Sequence, residues 1–197
     1  MQEGTHPCQT LVLIVLLLLL FPKTLGDPAL PFGLYPDHGG RLVNLPPTIK
    51  KVYATTEAGS FLVYSVEPDS ITGWNRGLSP EIEFAILPQY HSLPTLGTWD
   101  ETFYTIQLDA VLEQEPDLVI HYAPVDQTNI ALVGEMEEAL GIPAVLVDHR
   151  LQALPDALRF LGQILGREVR GQALATFIEN RLGQMKNFQK LQMGYAP

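Results

Sequence analysis

The chain has 197 residues, enough for one sizeable domain with a core of its own. Its formal net charge of −10 sets it against nucleic acid and anionic lipid as partners, and acidity of this kind also serves simply to keep an exported protein soluble. The single cysteine, Cys8, lies ahead of an N-terminal apolar run, so removal of a leader would exclude disulfides, cysteine nucleophiles and thiolate metal sites together.

That run, Leu11–Phe21, is eleven residues long, too short for a helix crossing a bilayer and the right length for the apolar part of a signal peptide. Pro22 ends it, and Thr24-Leu25-Gly26 offers small residues at the two positions a signal peptidase reads. A leader over 1–26 and export from the cytoplasm are therefore predicted. The first ten residues hold no Lys or Arg, which makes an uncleaved anchor the competing reading. Cys8 precedes the apolar run and so is not a lipoprotein cysteine. Losing the leader removes Glu3 and Lys23 and leaves the charge balance unchanged. Residues 27–40, rich in Pro and Gly and without periodicity, read as an extended linker.

Arg41–Leu45 predicts a short strand broken by Pro46-Pro47, and Lys51–Thr55 a better one, with Val52 and Ala54 alternating against Tyr53 and Thr55. Glu57-Ala58-Gly59-Ser60 opens a helix whose apolar residues are Phe61, Leu62 and Val66. Ile71–Trp74 reads as a second strand. Ser79-Pro80-Glu81 combines a hydroxyl cap, a first-position proline and a first-turn acid, predicting a helix to about Leu87, where Pro88 stops it. Leu93–Gly97 reads as a strand and Gln107–Gln114 as a short helix. Leu118–Tyr122 is the apolar run of a buried parallel strand behind a Pro116-Asp117 turn. Ile130–Leu140 puts Val133, Met136 and Leu140 on one helical stripe, ended by Gly141 and Pro143. Ala144–Val147 is a further strand. Leu151, Leu154, Leu158, Leu161 and Leu165 follow the three-four spacing of an amphipathic helix. After Gly166, a second helical region runs from Glu168 to about Gln192, striped by Leu174, Phe177, Ile178, Leu182, Met185 and Phe188. Gly171 and Gly183 inside it each cost about 1 kcal/mol relative to Ala and argue against one unbroken rod. The alternation of strands and helices predicts an α/β fold with a parallel sheet covered on both faces.

Several stretches resemble one family. Gln107-Leu108-Asp109 followed by Glu115-Pro116-Asp117-Leu118-Val119-Ile120 is similar to the "NLE…LxPDLVI" block of the periplasmic binding proteins that feed ferric-siderophore and cobalamin ABC importers. Gly141-Ile142-Pro143, and Leu161-Gly162 with Leu165-Gly166-Arg167-Glu168, match that family's "LGIPV" and "LGxLxGRE" stretches in order and spacing. Val52–Asn75 adds two similar strand ends, so the resemblance covers about Arg41 to Arg181. It implies a Rossmann-like lobe with a short parallel sheet over 41–166, then a long spine helix over 167–192. The second lobe that follows the spine in the family is absent from this sequence. Truncation, single-lobe function and completion by another chain all remain open on this reading.

In an open parallel sheet the ligand crevice lies beyond the carboxyl ends of the strands. Those ends carry Thr56-Glu57, Trp74-Asn75, Trp99-Asp100, His121-Tyr122 and His149-Arg150, a set of rings and hydrogen-bonding groups suited to a large, partly apolar chelate. The resemblance implies ligand contacts for Trp99 and Tyr122, and Trp74-Asn75 is similar to the "GWN" of siderophore-type members. Thr56, Glu57, Trp74, Asn75, Trp99, Tyr122 and His149 are accordingly the expected ligand-binding residues. Each has a plainer alternative. Trp74 suits a core aromatic equally well, His149 suits a loop hydrogen bond, and Glu57 suits the positive end of its helix. Strand alternation sends either His121 or Tyr122 away from the site. The resemblance also implies that Asp109, in place of the family's Glu, pairs with arginines of the membrane permease; a solvated first-turn acid is the alternative.

These features point to a non-enzymatic, periplasmic solute-binding component of an importer for ferric siderophores, haem or cobalamin-type chelates, with no cofactor beyond its ligand and the inner-membrane permease as partner. A second reading is direct binding of zinc or manganese through His121, His149 and Glu57. An enzyme is disfavoured, because the sequence lacks a G-x-S-x-G elbow, a phosphate loop and a dinucleotide glycine fingerprint. A non-functional remnant is the last alternative.

Overall fold

A computed structural model of the chain describes residues 33–100 and 104–193. The predicted leader lies outside the described residues. Two short strands, β1 (Leu34–Pro36) and β2 (Leu42–Asn44), pair antiparallel. The central sheet is β3 (Val52–Ala54), β4 (Leu118–Ala123) and β5 (Ala144–Asp148), parallel and in the order β3-β4-β5. Helix α1 (Glu57–Val66) follows β3, and α2 is the single turn Pro80–Glu83. Helix α3 (Leu108–Glu113) leads into β4 and α4 (Gln127–Leu140) leaves it. After β5 come α5 (Leu154–Ile164) and the 26-residue α6 (Glu168–Met193).

The alternation of the strands fixes which helices cover which face. Val52, Ala54, Leu118, Ile120, Val145 and Val147 point to one side, against Leu62, Val63 and Val66 of α1 and Ala157, Leu158 and Leu161 of α5. Tyr53, Val119, Ala144 and Leu146 point to the other, against Val111 of α3 and Val133, Met136 and Leu140 of α4. Both faces are covered, which is why the strands read as nearly continuous apolar runs.

Five elements depart from the sequence reading. Ile71–Trp74 and Leu93–Gly97 make only single parallel bridges, Val52 to Ile71 and Trp74 to Thr95, rather than full strands. The helix opening at Ser79 lasts one turn: the Ser79 hydroxyl makes no capping bond, and the N–H groups of Ala85 and Ile86 reach back only three residues, to the Ile82 and Glu83 carbonyls, so the chain tightens and carries Ile86 into the core instead of continuing as a helix. Helix α4 starts three residues before the predicted Ile130, because the Asp126 side chain accepts from the Asn129 N–H and caps it. The stretch read as linker is ordered from Gly33: it supplies β1 and then seals the open edge of β5. Leu146 N–H donates to Asp37 Oδ2, His38 N–H to the Leu146 carbonyl, and Asp148 N–H to His38 Nδ1. Side chains thus stand in for a further strand along that edge.

Candidate functional site

All three strands run the same way, so β3, β4 and β5 present their carboxyl ends on one side of the sheet, and hydrogen bonds join those ends into a single rim. The Thr56 hydroxyl caps α1, accepting from Gly59 N–H at 3.2 Å, and donates to the Tyr122 carbonyl at 3.3 Å. Trp99 N–H donates to the Thr55 carbonyl at 2.9 Å. The Asn75 amide donates to the carbonyls of Ala54 at 2.9 Å and Gly97 at 2.8 Å, and accepts from the Ser60 hydroxyl at 2.6 Å. The rings of Tyr122 and His149 meet edge-on at 6.3 Å. Thr56, Asn75, Trp99, Tyr122 and His149 therefore lie along one continuous edge, as the strand-end argument requires.

Their exposure divides them. Trp74 is 3% exposed, its indole N–H donating to the Tyr90 carbonyl while Phe61 and Tyr64 pack around its ring. Asn75 and Trp99 are each 6% exposed. These residues support the rim from beneath, and the plainer alternative for Trp74, a core aromatic, describes its place. Glu57 lies at the surface in the first turn of α1, paired with the Arg76 guanidinium at 2.8–2.9 Å. Tyr122 is half-buried and His149 exposed. Burial, with the Asp148 carboxylate adding to it, pushes the Tyr122 phenol above its ordinary value, so it remains a hydrogen-bond donor. The Arg150 guanidinium, bonded to Asp148, holds that carboxyl below the usual range.

Tyr104 is a rim residue absent from the sequence reading. It is 63% exposed and stands T-shaped against Trp99 at 5.6 Å. Its placement comes from an antiparallel bridge to Trp99, supported by paired bonds between Thr98 and Thr105. The available signal was the pairing in sequence of Thr98-Trp99 with Tyr104-Thr105 about the acidic Asp100-Glu101.

The residues of the zinc or manganese reading do not converge. His121 is fully buried under the opposite face of the sheet from Tyr122, with Nε2 at 2.8 Å from Asn129 Oδ1 and Nδ1 at 2.6 Å from the Thr55 hydroxyl. Asn129 Nδ2 donates to Asp126, which leaves its Oδ1 as acceptor, so Nε2 of His121 donates and Nδ1 accepts. Among the described residues no three His, Cys, Asp or Glu side chains are grouped to hold a metal ion. Asp109 is exposed in the first turn of α3. A separate cavity of about 490 Å³ lies between Leu151–Asp156 and Glu179–Met185, and none of the sequence-predicted site residues lines it.

No protein-family model matches the chain, and no curated protein matches it by sequence. Solved structures do. An ABC transporter solute-binding protein from Sulfurospirillum deleyianum is similar at 24% identity and a TM-score of 0.68, over 80% of this chain and 50% of that one. A periplasmic heme-binding protein from Pseudomonas aeruginosa matches at 20% identity and a TM-score of 0.53, over 76% of this chain and 50% of that one. A molybdate periplasmic binding protein from Haemophilus influenzae matches at 13% identity and a TM-score of 0.56, over 72% and 49%. The chain spans about half the length of each. Among the described residues no helix is long and apolar enough to cross a membrane. The parallel sheet, its two helical faces and the long α6 together have the fold of one lobe and the following helix of periplasmic solute-binding proteins.

Proposed function

We propose that the chain is the extracytoplasmic solute-binding component of an ABC importer and takes a ferric siderophore, haem or cobalamin-type chelate on the rim. The observation that carries this is the joining of the β3, β4 and β5 ends into one edge bearing Tyr122, His149 and Tyr104, within a fold shared with solved binding proteins. Ring surface with a few hydrogen-bonding groups holds a large, partly apolar ligand by contact area, while Thr56, Glu57 and the buried Trp74, Asn75 and Trp99 keep the edge in shape. The Thr55 hydroxyl and His121 imidazole that meet at 2.6 Å are both fully buried, out of reach of a ligand, and the neighbours in fold are transport proteins, in keeping with capture rather than catalysis.

On this reading the leader over 1–26 delivers the chain outside the inner membrane. Residues 41–166 form the binding lobe and 167–192 its spine, and exposed Asp109 meets the permease. Trp74 and Trp99 are the only tryptophans, and both lie under the rim. Titration with ferric siderophores, haem and cobalamin should therefore give saturable quenching of tryptophan emission with at least one of them. Absence of saturable quenching by every one of these chelates overturns the proposal.

A further inference from the structure

The charges along the rim bear on what it takes. Arg76 holds Glu57, and Arg150 holds Asp148 through Nε at 2.8 and 3.0 Å and Nη2 at 2.5 Å. The Asp148 side chain is only 5% exposed, so a ligand that drew Arg150 away would leave a buried carboxylate without its counter-charge. The Arg76–Glu57 pair is more exposed, but opening it returns the Glu57 charge to the same edge. Asp126 caps α4 just past the end of β4 and adds a further negative charge. Helices α1, α4 and α5 all start at this end of the sheet, and their positive dipole ends already meet Glu57, Asp126 and Asp156 respectively. Among the described residues, every guanidinium on this edge is thus committed to a carboxylate, carboxylates are in excess, and the chain as a whole carries −10.

From this we infer that the rim takes a neutral or cationic chelate and rejects polyanionic ones, an inference that rests on the binding reading above. Ferric hydroxamates and corrinoids fall on the accepted side. Ferric tris-catecholates, haem with its two propionates, and molybdate fall on the other.

The purified chain is titrated in parallel with a singly cationic ferric trihydroxamate, a neutral corrinoid, a triply anionic ferric tris-catecholate, haem and molybdate, at low and at high salt. The expected result is binding of the trihydroxamate or corrinoid at least about tenfold tighter than any of the anions at low salt, with the ratio shrinking as salt screens it. Glu57→Gln, which leaves Arg76 without a charged partner, narrows the ratio by about threefold or more. An anionic chelate bound as tightly as the neutral and cationic ones, or a ratio unmoved by Glu57→Gln and by salt, overturns the charge inference and leaves the binding reading standing. Failure of all five to bind removes the binding reading itself.

Discussion

One amide holds three stretches of chain together at the residue scale. Asn75 ties the end of β3 through Ala54, the first turn of α1 through Ser60, and the loop before Trp99 through Gly97, all while 6% exposed. Asn75→Ala strands the buried Ser60 hydroxyl and the Ala54 carbonyl, each costly without a partner, while the Gly97 carbonyl keeps the Tyr53 hydroxyl at 3.0 Å. The expected loss is about 2–4 kcal/mol in a denaturant titration, with the slope of the transition unchanged. A loss below about 1 kcal/mol would show that the loop finds other partners. The pair His121-Tyr122 shows how far local pattern reached. Alternation alone required one of the two to leave the site, but choosing between them needed Thr55 and Asn129, which wait for His121 on the far face. Trp74 and Trp99 were legible as strand-end aromatics, whereas their burial depends on Tyr64, Tyr90 and Tyr104 closing over them.

At the scale of elements, the helix penalty of a glycine is outweighed by what it permits. Gly171 sits where α6 crosses α5, and a Cβ there would lie 2.6 Å from the Leu158 carbonyl oxygen and 2.9 Å from Gly162 Cα. Backbone on both sides leaves nothing soft to yield, so α6 runs unbroken through this position because the close crossing requires glycine there. Gly171→Ala should therefore destabilise the chain by about 1–3 kcal/mol despite the better helix propensity of Ala. Gly183→Ala, with open space around its Cβ, should be neutral or stabilising by up to about 1 kcal/mol. Thermal unfolding of the two variants side by side checks this, and equal shifts would contradict the crossing argument. Periodicity placed β3, β4, β5, α4 and α5 within a few residues of their bounds, since each buries a face that repeats; α6 keeps its predicted span, but Phe177 and Met185 of its expected stripe are exposed. Periodicity failed where no face is buried, at α2, and in the segment from Gly33, whose order comes from bonds to β5 more than a hundred positions away along the chain.

For the whole molecule, titratable groups set a stability window. Burial holds the His38 imidazole below its ordinary value of 6.5, against the opposing pull of Asp148, Asp156 and Asp37. Its Nδ1 already accepts the Asp148 N–H, so a proton there breaks the last bond of the β5 edge seal. The unfolded chain binds this proton more readily than the folded one, so stability is whole above pH 6.5 and falls as pH drops through the lowered folded value. Asp148, held below its ordinary 3.8 chiefly by Arg150, adds a second loss in stronger acid. At the other end, burial and then Tyr104 push the Tyr53 phenol far above 10.0, so the unfolded chain ionises first and stability falls as pH rises past 10. Unfolding midpoints across pH should show a plateau between these limits. His38→Asn, whose amide oxygen keeps an acceptor for Asp148 N–H, should remove the first acid step, and its persistence would assign that step to another group.

The amino-acid sequence by itself determined the α/β class, the places of the buried strands along the chain and which strand ends carry the candidate residues, because each follows from spacing between neighbours in the chain. Only the tertiary structure decided which residues at that end face solvent, that Tyr104 joins them, and that Arg76 and Arg150 are already matched by carboxylates. Exposure and charge pairing at strand ends depend on groups brought together from distant parts of the chain, and local spacing carries no record of those encounters.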